Sequence, residues 1–112
     1  MKKVLFWLSL LTLSTLSLLP SGYLPPQAFS LWDKAQHALG FAGLTVLALW
    51  AYPGAARKIP WWLLIHGAAI ELAQAATGWR QGDWLDWLAD AIGILAGMLT
   101  MLIASRIARS SS

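Results

Sequence analysis

Most of the side chains able to do chemistry in this 112-residue chain fall in three clusters. Asp33, Lys34 and His37 form the first, Glu71 and Gln74 the second, and Arg80, Asp83, Asp86 and Asp90 the third. Lys34 and Arg80 suit a phosphate or carboxylate, while Glu71, Gln74 and His37 suit hydroxyls or amides. Glu71 with His37 could also act as an acid/base pair, with Arg80 steadying a developing anion. His37, Glu71 and Asp90 could hold a divalent metal, but one histidine with scattered carboxylates is a thin ligand set. No metal and no cofactor is expected. Nucleophilic catalysis finds no support, because Ser30, Thr77 and the terminal serines lack an activating neighbourhood, and catalytic residues stay unassigned. The chain has no cysteine, which excludes disulfides, thiolate nucleophiles, zinc fingers and iron–sulfur clusters.

The elements that must position these residues follow from composition. The chain is 58% hydrophobic and 12% charged, with mean hydropathy +0.59. Soluble domains carry about twice that charged fraction. Disorder is excluded, and so is a large water-soluble enzyme, since too few polar side chains remain to cover its surface. Spanning hydrocarbon takes about 20 mostly apolar helical residues. Such stretches run from Val4 to about Leu19, Leu31 to Tyr52, Trp61 to Thr77, and Trp84 to Ile107. Pro20, Pro53-Gly54, Pro60 and Gly78 punctuate them. Ser30-x-x-Asp33 and Asp83-x-x-Asp86 resemble capping boxes. The expected fold is all-α, an integral membrane four-helix bundle with short loops and one domain over residues 1–112. Lys2-Lys3 before an apolar run also resembles a signal peptide, but no small-x-small cleavage site follows, so an uncleaved span is expected. Cleavage would leave three helices.

Charge sets the orientation. Lys2, Lys3, Arg57, Lys58, Arg106 and Arg109 fall on one side of four spans, which is then cytoplasmic and holds both termini. Trp7, Trp50, Trp61 and Trp62 lie near the inner boundary, and Trp32, Trp79, Trp84 and Trp87 near the outer one. Indole rings favour such belts. The net charge of +3 therefore reads as topology. Nucleic acid is not expected as a partner, because there is no soluble groove for it.

In that orientation the three clusters meet in the outer half of the bundle. Asp33 and His37, four apart, share a helix face. Gly67, Glu71, Gln74 and Gly78 make one stripe of the third span. Asp86 and Asp90 continue into Gly93 and Gly97 on the fourth. The last two spans are expected to pair as an antiparallel hairpin, their glycines allowing close approach. Glu71 should lie about 10 Å below the outer helix end. A carboxylate at membrane depth costs about 2.5–3.5 kcal/mol, so it needs a partner, a water-filled pocket or a proton. Interhelical hydrogen bonds in membranes average about 0.6 kcal/mol, which argues for a pocket with a task over plain glue. Several residues also have simpler roles. Asp33, Asp83 and Asp86 could only cap helices, Lys34 could snorkel, His37 could bond a neighbouring helix, and His66 reads as packing or interfacial.

Asp33-Lys34-x-x-His37, Glu71-x-x-Gln74, Gly78-x-Arg80 and Asp86-x-x-x-Asp90-x-x-Gly93-x-x-x-Gly97, in this order, resemble the VanZ-like family of small bacterial membrane proteins. The likeness covers roughly Trp32 to Gly97, the first span matching only in hydrophobicity. Where this chain has Asp90, the family often has asparagine. The family's namesake is associated with resistance to the glycopeptide teicoplanin. The resemblance implies a multi-pass protein of the bacterial plasma membrane and a role in the cell envelope.

The expected function is recognition of a lipid headgroup, a lipid-linked cell-wall precursor or an amphiphilic glycopeptide. The pocket would use Asp33, Lys34, His37, Glu71, Gln74, Arg80, Asp86 and Asp90, with Gly67, Gly93 and Gly97 packing helices. The alternative is a membrane-embedded hydrolase or transferase acting on such a lipid. Proton-coupled transport by a monomer is disfavoured, because the inner half offers almost no polar groups. Membrane lipids are the expected partners, and a homo-oligomer is left open.

Overall fold

The computed structural model describes residues 1–19, 31–78 and 84–111, the side chains of residues 31–33 excepted. Four α-helices make up these segments: α1 (Lys2–Leu18), α2 (Leu31–Ala51), α3 (Ile59–Thr77) and α4 (Trp84–Ser110). A 3-10 turn, Pro53–Ala55, joins α2 to α3. The helix ends follow the local chemistry. Pro53 cannot continue the hydrogen-bond ladder of α2. Pro60 sits in the first turn of α3, where its missing N–H is no loss. Gly78 closes α3 with φ +80°, a left-handed conformation that favours glycine. The expected cap residues Ser30 and Asp83 lie outside the described residues.

Side-chain pairings fix the packing. Lys34 meets Asp86 and His37 meets Asp90, while Gly93 lies against Ala38 and Gly97 against Ala42 and Thr45. Residue numbers rise together along both helices, so α2 and α4 run parallel. They form the most extensive helix pair of the molecule. This corrects the expected role of the α4 glycines, which serve α2 and not α3. The cause is steric: a Cβ at Gly93 would run into the Ala38 carbonyl, and one at Gly97 would come within 2.7 Å of the Ala42 carbonyl. On α3, Gly67 faces Asp90 and Trp87 of α4 and Phe41 of α2.

The apolar core takes Phe6 and Leu10 from α1, Phe41, Leu44 and Ala48 from α2, Ile59, Leu63 and Ile70 from α3, and Ile94 from α4. Around it the usual distribution is inverted. Leu39, Ile65, Leu72 and Leu95 are about two-thirds or more exposed, whereas Thr45, Glu71, Gln74, Asp86 and Asp90 are buried. Among the described helices, α4 alone is long and apolar enough to cross a membrane by length and composition. Its 27 residues extend about 40 Å. With 17 residues, α1 is shorter, and α2 and α3 are interrupted by polar side chains.

Candidate functional site

The parallel register of α2 and α4 builds one ladder of polar contacts. Lys34 and His37 lie one turn apart on α2, as do Asp86 and Asp90 on α4. Lys34 Nζ is 3.1 Å from Asp86 Oδ1, and His37 Nδ1 is 3.0 Å from Asp90 Oδ1. The other face of the imidazole also meets a carboxylate, with Nε2 3.9 Å from Asp86 Oδ2. His37 thus lies between two acids, hydrogen-bonded to Asp90. Asp86 therefore does more than cap α4, and Lys34 does more than snorkel. The Lys34 side chain is 31% exposed and forms the open rim, while Asp90, at 1%, lies at the floor.

The acid of the third helix completes the floor. Glu71 contributes a carboxylate that lies with the His37 ring and the Asp90 carboxylate in one group, all ligand atoms within 4.8 Å of one another. Gly67, one turn earlier on α3, makes room for this. A Cβ there would stand 2.9 Å from Asp90 Oδ2 and 3.4 Å from Trp87 Cδ1. The Trp87 indole N–H donates to the Leu64 carbonyl at 2.9 Å, which ties α4 to α3 beside this gap.

Gln74, one turn beyond Glu71, is fully buried. Its Nε2 donates to the Ser17 carbonyl of α1 at 2.8 Å. Its Oε1 is buried and accepts no hydrogen bond among the described residues. So α1, whose likeness to the family lies only in hydrophobicity, also anchors the site. Ser14 Oγ lies 2.9 Å from His66 Nε2, and the His66 ring stacks on Trp62 with centroids 5.5 Å apart. His66 is engaged in packing, away from the cluster.

Of the residues expected in the pocket, Lys34, His37, Glu71, Asp86 and Asp90 come together, with Gln74 on the same face of α3 as Glu71. The Asp33 side chain and Arg80 lie outside the described residues. Chemically the arrangement can take up hydroxyl or amide donors, hold a proton between His37 and its acids, or accept a cation. No family model, no curated protein and no solved structure matches this chain.

Proposed function

We propose that the chain is a multi-pass membrane bundle whose polar pocket opens to the outside of a bacterial plasma membrane and recognises a phosphate-bearing lipid headgroup or lipid-linked cell-wall precursor. The observation that carries this reading is the inverted polarity of the bundle. Glu71, Gln74, Asp86 and Asp90 are buried while large aliphatic side chains cover the outside. Soluble monomers rarely expose apolar patches larger than a few hundred Å², whereas a lipid-facing surface is apolar throughout. Helices α1, α2 and α3, with 17, 21 and 19 residues, measure about 25–31 Å, close to the hydrocarbon thickness of about 30 Å.

In this reading Lys34 at the rim, together with Arg80 after α3, takes the phosphate, and Glu71 and Gln74 bond the sugar or amide beyond it. An amphiphilic glycopeptide of the teicoplanin type offers related groups, which links the pocket to antibiotic tolerance through the VanZ-like resemblance. The test is native mass spectrometry of protein released gently from its own membrane, comparing wild type with Glu71→Gln and Arg80→Ala. A discrete lipid bound to wild type and lost in both variants supports recognition. A wild type as empty as the variants contradicts it.

One contact favours a second reading. The 3.0 Å hydrogen bond between His37 Nδ1 and the Asp90 carboxylate, beside Glu71, is the kind of orientation that prepares an imidazole for general acid/base work. A hydrolase or transferase acting on the bound lipid would turn it over, and Glu71→Gln would abolish turnover without abolishing insertion. Saturable binding without conversion decides for recognition.

A further inference from the structure

We infer that His37, Glu71 and Asp90 bind one divalent first-row cation, of the manganese or zinc class, at the floor of the pocket. The ion is held by the chain's own residues; only what fills its open positions rests on the headgroup reading.

Four observations converge. First, one residue from each of α2, α3 and α4 brings an imidazole nitrogen and two carboxylate oxygens within 4.8 Å of one another. Around an octahedral ion such as manganese, ligands at about 2.2 Å stand up to about 4.4 Å apart, so the three groups close on one ion by drawing together. Second, one edge fits. His37 Nδ1 and Asp90 Oδ1 are 3.0 Å apart, close to the separation of about 3.1 Å between adjacent ligands of an octahedral ion with bonds of about 2.2 Å. Third, the far side of the imidazole faces Asp86, with Nε2 3.9 Å from Oδ2, and Asp86 is itself held by Lys34 at 3.1 Å. Drawn in to hydrogen-bond length, a carboxylate behind a ligating histidine would fix its tautomer and ring orientation, an arrangement common to metal sites. Fourth, Gly67, one turn before Glu71, leaves room beside the Asp90 carboxylate, since a Cβ there would stand 2.9 Å from Asp90 Oδ2.

Electrostatics is compatible with an ion, because two carboxylates this close in a low-dielectric interior repel each other. A divalent ion neutralises both. Mixed imidazole and carboxylate donors suit zinc and manganese better than calcium or magnesium, which prefer oxygen alone. Three protein ligands leave positions open, and a phosphate oxygen of the headgroup, directed by Lys34, would occupy one.

The experiment uses the full chain, purified in detergent and stripped with chelator. Binding of Mn²⁺ is followed by electron paramagnetic resonance, and Zn²⁺ by competition against it. Wild type is expected to bind one ion per chain, with affinity falling about tenfold or more in His37→Gln and Asp90→Asn. Mn²⁺ should also raise the thermal unfolding midpoint of wild type and not that of Asp90→Asn. Wild type that binds neither ion overturns the inference, even if a variant fails to fold. A folded Asp90→Asn that binds as tightly as wild type overturns it equally. Lipid retention is measured on the same samples with and without chelator. Lipid held by a protein that binds no ion leaves the headgroup reading standing and the ion refuted. An ion bound with no lipid does the reverse.

Discussion

At the residue scale, everything turns on where charge is buried and what answers it. His37 joins Asp86 and Asp90 across two helices, and Glu71 reaches the same group from a third. The contacts differ in depth, and their energetic weights should differ with it. Lys34→Ala removes a pair whose lysine is 31% exposed and should cost about 1 kcal/mol or less. Asp90→Ala strips His37 Nδ1 of its partner at the floor, where Asp90 is 1% exposed, and should cost about 1.5–3 kcal/mol. Unfolding in detergent measures both, and the opposite order would contradict the assigned depths. Much of this cluster was legible in the sequence, because a carboxylate such as Glu71 inside an apolar span demands an explanation. The Gln74–Ser17 contact was not legible. A backbone carbonyl acceptor leaves no mark in residue identity.

At the element scale, the decisive contact is the parallel approach of α2 and α4. It sets the register that matches Lys34 with Asp86 and His37 with Asp90, so packing and site chemistry are one problem. Gly93→Ala should force the helices apart, since its Cβ meets the Ala38 carbonyl, and overpacking of this kind costs about 1–3 kcal/mol. Gly43→Ala is the control. Nothing lies within 4 Å of a Cβ there, and alanine is the better helix former by about 1 kcal/mol. Unfolding midpoints should therefore move in opposite directions; equal shifts would place the close contact elsewhere. The helices themselves were legible from proline, glycine and apolar runs. Their partners were not: a stripe such as Asp86, Asp90, Gly93 and Gly97 names the face that packs, but chain adjacency pointed to α3 while sterics selected α2.

At the scale of the whole molecule, the chain is longer than it is wide, 52 × 25 × 21 Å, apolar outside and polar at one end within. The basic residues Lys2, Lys3, Arg57 and Lys58 belong to the other end, where Lys2 and Lys3 lie over the rings of Trp50 and Tyr52. The proposed topology is testable without background labelling, because the chain has no cysteine. In intact cells, a membrane-impermeant maleimide should label Ala76→Cys, beside the pocket end of α3, and spare Lys3→Cys and Ser111→Cys until the membrane is opened. Labelling of all three without permeabilisation would refute a four-span bundle with internal termini. The central claim is that the buried polar cluster is a ligand site and not interhelical glue, and mass action tests it most directly. The unfolding midpoint of delipidated wild type and Glu71→Gln should be followed while a short-chain phosphatidylglycerol is added below its micellar concentration. A ligand site predicts a midpoint that climbs with lipid in wild type and stays flat in Glu71→Gln; the same climb in both, or none in either, would contradict it.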